Sequence, residues 1–183
     1  MRIIAGELKG RKLFTPNDSK IRSTSDKVKE SIFNMIAEYL EEAVVVDLFS
    51  GTGNLGLESI SRGVTRCYFG DKSRDSITLT NRNIDYCNVK DKGISIIGDF
   101  EKVLHKIPEK VDIIFLDPPY KLGLMNRCFT TISDLSIVSA GGIIVAEHDA
   151  NELMPEKVYD FYKIKEKKYG TIVITIYRLD LEE

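Results

Sequence analysis

Cysteine and histidine are scarce in this chain, and their scarcity narrows its chemistry. Among 183 residues there are three cysteines, Cys67, Cys87 and Cys128, and two histidines, His105 and His148. The cysteines are odd in number, far apart and form no CxxC pair, so neither a disulfide framework nor a structural zinc site is expected. Such usage suits a reducing cytoplasm. No apolar run approaches membrane-spanning length, and Met1-Arg2-Ile3-Ile4-Ala5-Gly6-Glu7 lacks the apolar core of a signal peptide. The expectation is a cytoplasmic protein with no membrane partner. Net charge is small too, at −2, which alone argues against a polyanionic partner. What remains is ordinary for one globular domain, monomeric by default: 43% hydrophobic and 30% charged residues, long enough to bury a real core.

The charge is unevenly spread. Residues 1–30 hold eight Lys/Arg (Arg2, Lys9, Arg11, Lys12, Lys20, Arg22, Lys27, Lys29) against four acids, a net +4 that leaves −6 on the remainder. A basic front end on an acidic body suits a polyanion, although a solvated surface would look the same. Short apolar stretches at 2–5 and 11–14 flank Gly6-Glu7-Leu8-Lys9-Gly10 and predict a basic β-hairpin within a 1–24 extension. Thr24 or Ser25 can cap a helix to about Leu40, with Val28, Ile32, Met35, Ile36, Tyr39 and Leu40 at helical spacing.

From residue 43 strands and helices alternate. Strands are expected at 43–48, 65–70, 93–97, 111–116 and 142–147, and helices at 54–62, 74–87, 99–106 and 124–135. That rhythm implies an α/β, Rossmann-like domain over 25–183 with a mostly parallel, seven-stranded sheet. Residues 157–166 and 171–180, joined through Lys167–Gly170, supply an antiparallel edge pair.

Two strand ends carry chemistry. Val44-Val45-Val46-Asp47-Leu48-Phe49-Ser50-Gly51-Thr52-Gly53-Asn54-Leu55-Gly56 reads as strand, glycine turn and helix start, and the spacing Gly51-x-Gly53-x-x-Gly56 matches a dinucleotide fingerprint. Asp71, followed by Lys72, ends the next strand, where an acid can hold a ribose diol. An adenosine-containing cofactor follows, either NAD or S-adenosylmethionine. Three features favour S-adenosylmethionine. Asp47 precedes the turn, where a carboxylate can organise the loop and meet a cationic amino group. Gly98-Asp99-Phe100 puts an acid and a ring where adenine could be read. The antiparallel tail is unlike the second half of a dinucleotide enzyme.

The second end is Asp117-Pro118-Pro119-Tyr120, after the apolar run 111–116. An exocyclic aromatic amine is a poor nucleophile because its lone pair is delocalised. Acceptors for both amino hydrogens, the Asp117 carboxylate and the Pro118 carbonyl, bias the nitrogen toward a tetrahedral shape. The prolines have fixed φ and no competing N–H, and Tyr120 can stack on the base. Rate would come mostly from positioning. The proton has two outlets, Asp117 or water. Alone, the tetrapeptide reads equally well as a turn.

These motifs resemble those of class I methyltransferases acting on exocyclic amines. The N-terminal block Met1–Glu7, Gly10-Arg11-Lys12-Leu13 and Ile21-Arg22-Ser23-Thr24-Ser25-Asp26-Lys27-Val28-Lys29-Glu30, with Glu147-His148 and Tyr169-Gly170-Thr171, is similar to the RsmD-type 16S ribosomal RNA guanine-N2 methyltransferases. One departure is Ser23, where that family usually has proline. The resemblance implies S-adenosylmethionine as donor and, as substrate, guanine N2 (the guanine-966 type) in 16S RNA of the small ribosomal subunit or its assembly intermediate. Asp47, Phe49, Gly51, Gly53, Asp71, Lys72, Asp99 and Phe100 would hold the cofactor. Arg2, Lys9, Arg11, Lys12, Arg22, Thr24 and Lys27 would hold RNA. A loop guanine is the natural target, because specific RNA recognition reads splayed bases. Alternatives are an adenine-N6 methyltransferase, which normally needs more chain for duplex recognition, an NAD-dependent oxidoreductase, which leaves Asp117–Tyr120 without a role, and a non-catalytic RNA-binding module. His148 reads as a strand-end polar residue and the Lys163-Lys165-Lys167-Lys168 cluster as a solvated edge.

Overall fold

The structure is a computed structural model that describes residues 1–16, 25–119 and 123–180. Runs of β-branched residues form the central strands. β1 (Val44–Asp47), β2 (Arg66–Asp71), β3 (Gly93–Ile97) and β4 (Val111–Leu116) pair in parallel, and β5 (Val138–Asp149) adds to β4 in the same direction. Between them run α2 (Asn54–Ser61), α3 (Arg74–Cys87), α4 (Phe100–Lys106) and α5 (Leu124–Leu135). The order β3-β2-β1-β4-β5-β8-β7-β6 puts the topological switch between β1 and β4. Ligands of open α/β sheets bind at such a crevice, outside the carboxyl ends of the strands.

The tail inserts as well as appends. β8 (Ile172–Leu179) lies antiparallel between β5 and β7 (Phe161–Tyr169). The sheet has eight strands rather than the expected seven, because the segment expected as one strand over 157–166 breaks at Tyr159, whose φ is 52°. Two-residue β6 (Lys157–Val158) then folds back on β7. β5 starts at Val138, earlier than expected, and its register on β4 slips between the Val111 and Ile113 pairings. α1 (Asp26–Met35), capped by Ser25, stops short of Leu40 and continues as a 3₁₀ turn at Ala37–Tyr39 that still delivers Ile36 and Leu40 to the core.

Each face of the sheet buries its own layer. Ile32 and Phe33 of α1, Leu57 of α2 and Ile84 of α3 cover one face, against Val45, Phe69 and Phe115. Val103 of α4 and Phe129 of α5 cover the other, against Val46, Ile114 and Tyr177. All three cysteines are buried in these layers, and burial pushes the Cys128 thiol up to about 12. No described helix is long and apolar enough to cross a membrane.

The N-terminal segment forms a loop closed by a single antiparallel bridge, Arg2 to Lys12, rather than a two-stranded hairpin. Ile3 N and Leu13 N cross to Arg11 O and Met1 O (2.9 and 3.1 Å), but other amides turn to α2. Ile4 and Ala5 donate to the Glu58 carboxylate (2.9 and 3.1 Å) and Glu7 donates to Ser61 O (2.8 Å), which leaves little for a ladder. Ile3 and Leu13 join the core cluster of α1–α3, so residues 1–16 are packed onto the sheet domain.

Candidate active site

Val44–Asp47 and Val111–Leu116 run side by side, with Asp47 in register with Phe115. The glycine turn after β1 and Asp117-Pro118-Pro119 after β4 therefore emerge next to one another at the switch point. Gly51 and Gly53 adopt positive φ (53° and 79°), which a side chain would strain. At Gly51 a Cβ would meet no atom of the described residues within 4 Å, its chain neighbours aside, so among the described residues the turn faces open space. At Gly56 a Cβ would lie 2.2 Å from the Phe69 ring, so glycine there lets α2 approach β2.

The carboxylates hold this turn. Asp47, 4% exposed, accepts from Gly56 N (2.9 Å). Burial pushes its carboxyl up to about 7, the Gly56 amide opposes that, and the charge of Asp71 adds to it. Asp71 accepts from Gly51 N (3.1 Å) through one oxygen and from Ser73 N (2.8 Å) through the other, tying the turn to the start of α3. Thr80 donates to Gly51 O (2.9 Å) and Asn83 to Thr52 O (2.9 Å). Asn83 also exchanges hydrogen bonds with the backbone of Phe14, which brings the N-terminal segment against the turn.

Phe49 and Phe100 approach with centroids 6.4 Å apart, and Arg127 lies over Phe100. Asp99 is exposed and caps α4 by accepting from Lys102 N (2.8 Å). Lys72 is exposed beside Asp71. Asp117 is half-buried, Pro118 buried and Pro119 exposed. Tyr120, Arg22 and Thr24 lie outside the described residues, as does Ser23.

Arg2, Lys9, Arg11, Lys12 and Lys27 are all exposed. Arg2 pairs with Asp26 (2.9 Å), and Arg11 donates to Tyr86 O (2.9 Å). His148 is buried near the end of β5, with its ring on Thr175 (2.8 Å). Lys163, Lys165 and Lys167 are engaged with Glu156 and Glu166, with Met35 O and with Ser31, respectively.

Other side chains of this region carry no role in the sequence motifs. The Ser50 hydroxyl sits in the turn, 7% exposed and with no hydrogen-bond partner among the described residues. A buried donor left in a glycine turn fits a polar ligand there, and with the open space over Gly51 it fits S-adenosylmethionine. Lys29 is fully buried, donating to Arg2 O (2.5 Å) and Asn54 Oδ1 (2.8 Å), and pairs with Glu58 at 3.2 Å. Burial lowers its pKa. Glu58 also pairs with Arg62 (2.9 Å). Glu147 and Glu152 line a small cavity with Pro118 and Pro119. Larger cavities, such as one of about 310 Å³ lined by Leu104, Pro108 and Ile137, open at the amino ends of the strands, away from the switch point.

Known proteins resemble this chain along nearly its whole length. The family model described as "Conserved hypothetical protein 95" matches residues 1–178. YlbH of Bacillus subtilis (strain 168), a proposed rRNA methyltransferase, is 37% identical over 181 residues, covering 97% of this chain and 98% of the relative. Ribosomal RNA small subunit methyltransferase D of Escherichia coli (strain K12) is 25% identical over 182 residues, covering 100% of this chain and 91% of the relative. The solved structure of YhhF, a proposed methyltransferase from Escherichia coli, superposes with a TM-score of 0.89 at 24% identity over 98% of both chains, a likeness of fold.

Proposed function

We propose, from the premise that this chain belongs to the conserved hypothetical protein 95 family, which holds the RsmD-type rRNA methyltransferases, that it methylates guanine N2 in 16S RNA of the small ribosomal subunit or its assembly intermediate. The observation that carries the reading is the adjacency of two strand ends. Asp117-Pro118-Pro119 leaves β4 beside the glycine turn that leaves β1, at the switch point of the sheet. A holder for an amine and a holder for an adenosine cofactor thus share one crevice.

S-adenosylmethionine supplies, when bound, an electrophilic methyl group on a sulfonium. The chain's own groups bind and orient. Asp71 retains lone pairs for a ribose diol beyond the amides it already accepts. Asp47, with the Ser50 hydroxyl, serves the amino-acid end, and Phe49, Asp99 and Phe100 serve the adenine. Asp117 and the Pro118 carbonyl accept the hydrogens of N2, and Tyr120 stacks on the base. With both hydrogens held, the nitrogen lone pair would be turned toward the methyl group that the cofactor would supply, and the displaced proton would leave to Asp117 or water. Arg2, Lys9, Arg11, Lys12 and Lys27, with Arg22 and Thr24, grip RNA phosphates, and residues 1–24 act as the RNA-holding extension.

Labelled methyl transfer to undermethylated small subunits tests the reaction. Transfer is expected with wild type and lost in Asp117→Ala, while cofactor binding, read as thermal stabilisation, persists in both. Full activity in Asp117→Ala would refute the role given to its carboxylate.

A further inference from the structure

The cavity beside the reactive motif contains a carboxylate for which amine-holding provides no role. It measures about 30 Å³ and is lined by Pro118, Pro119, Leu124, Met125, Glu147 and Glu152, among others. A water needs about 10–15 Å³ on such a measure, so the notch admits the edge of a base and not a whole ring. Its two acids differ in rigidity. Glu152 is exposed on the loop after β5, whereas Glu147 is 9% exposed and lies within the strand. Leu116 of β4 pairs with Ala146 of β5, so Asp117 and Glu147 are the next residues of adjoining strands. On its other side Glu147 pairs with Ile174 of β8. A backbone held from both sides fixes where that carboxylate stands relative to Asp117 and Pro118.

We propose that Glu147 selects the base, accepting the ring N1–H of guanine next to the amine held by Asp117 and Pro118, a step that rests on the guanine-N2 reading above. Guanine carries a donor at N1, directly beside its exocyclic amine. Adenine, turned to offer its own exocyclic amine, presents a bare N1 lone pair at that point. An ionised carboxylate only accepts, so it attracts the first and repels the second. A site built to bond a buried N–H rejects analogues that lack it by large factors, because its polar group is left unpaired. Glu147 touches the substrate but not the reacting nitrogen, so its signature is discrimination between bases.

The test uses small subunits reconstituted with RNA that carries guanine or 2-aminopurine at the nucleotide the wild type methylates. 2-Aminopurine keeps the exocyclic amine and lacks the N1–H. Wild type should favour guanine in kcat/KM by roughly 100-fold. In Glu147→Gln, whose amide can donate to a bare N1, the preference should fall below about 10-fold. Glu147→Asp keeps a carboxylate and should retain most of the preference, which guards against a glutamine variant that fails to fold. An unchanged preference in a Glu147→Gln protein that still binds cofactor would overturn the assignment, and so would equal use of both bases by wild type. Absence of any guanine methylation by wild type would instead sink the proposed reaction, and this inference with it.

Discussion

Replacing Asp47 with asparagine separates what a buried carboxylate does for the fold from what it does for a ligand. Burial pushes its carboxyl from 3.8 up to about 7, and the charge of Asp71 contributes while the Gly56 amide opposes. The folded state therefore binds this proton more tightly than the unfolded chain does. Its favourable contribution is fully present at low pH and is lost as pH rises from about 4 through about 7. A difference of about 3 units, at about 1.4 kcal/mol each, bounds the penalty near about 4 kcal/mol at neutral pH. Asparagine keeps an oxygen for Gly56 N and cannot ionise, but it brings a buried NH₂ whose unmet bonds cost about 1–3 kcal/mol. The expected net gain at pH 7.5 is about 2 kcal/mol, or about 4–8 °C in Tm for a chain of this size. At pH 4.5 that gain should vanish or reverse. Melting followed by circular dichroism at both pH values, without ligand, reads this directly. Addition of S-adenosylmethionine should then raise the Tm of the variant less than that of wild type, since the carboxylate opposite its amino group is gone. A variant no more stable than wild type at pH 7.5, or equally stabilised at pH 4.5, refutes the reasoning.

The remaining expectations concern packing, the buried ion pair and the basic loop. Gly56→Ala puts a Cβ 2.2 Å from Phe69 Cε1 and 2.7 Å from Cys67 Sγ, so the urea midpoint should drop by the equivalent of about 1–3 kcal/mol. Lys29→Met leaves the buried Glu58 with Arg62 as its remaining cation and frees Arg2 O, a loss of about 3–5 kcal/mol in denaturant titration, with faster tryptic cleavage at Lys9 and Lys12. Reversing Lys9 and Lys12 together to glutamate should leave melting unchanged and weaken RNA binding, with a salt slope shallower by about 1.4 at about 0.7 per phosphate contact. Unaltered binding would remove these lysines from the proposed grip.

Where one side chain or one backbone preference decides the local structure, the sequence discloses it. The glycine turn is such a place, because Gly51 and Gly53 need positive φ and Gly56 needs a missing Cβ whatever surrounds them. Val111–Leu116 is another, an apolar run with a strand at the very limits expected of it. The end of α1 is hidden in the sequence because apolar spacing continues through Leu40 in the 3₁₀ turn as it would in a helix. The break between β6 and β7 is equally hidden, because nothing local announces positive φ at a tyrosine, and Tyr159 carries the bend. The site showed the same division. Asp47 and Asp71 are marked by position at strand ends, whereas Glu147 was visible only as part of a resemblance until the sheet set it beside Pro118 and Pro119. Lys29 had left a trace, since it shares a helical stripe with Ile32, Phe33 and Ile36. A lysine on that stripe asks for a buried partner, and the partner, Glu58, is distant in sequence.

That partner bears on how the proposed RNA grip meets the methyl donor. The three N–H groups of the Lys29 ammonium have acceptors in Arg2 of the basic loop, Asn54 at the head of the helix that follows the glycine turn, and Glu58 one turn later. Glu58 in turn takes the amides of Ile4 and Ala5, so loop and helix are joined through the Lys29 and Glu58 side chains, which have no exposure to water. Sliding the loop relative to the turn would break charge-assisted bonds in a dry interior, where each is expensive to leave unmade. A loop so held cannot act as a tether that finds RNA first and the cofactor later. If residues 1–16 of the proposed extension hold RNA, the span from a phosphate gripped there to the cofactor turn is set by the core itself. That is the arrangement needed by a reaction whose rate comes from placing an amine and a methyl group in line.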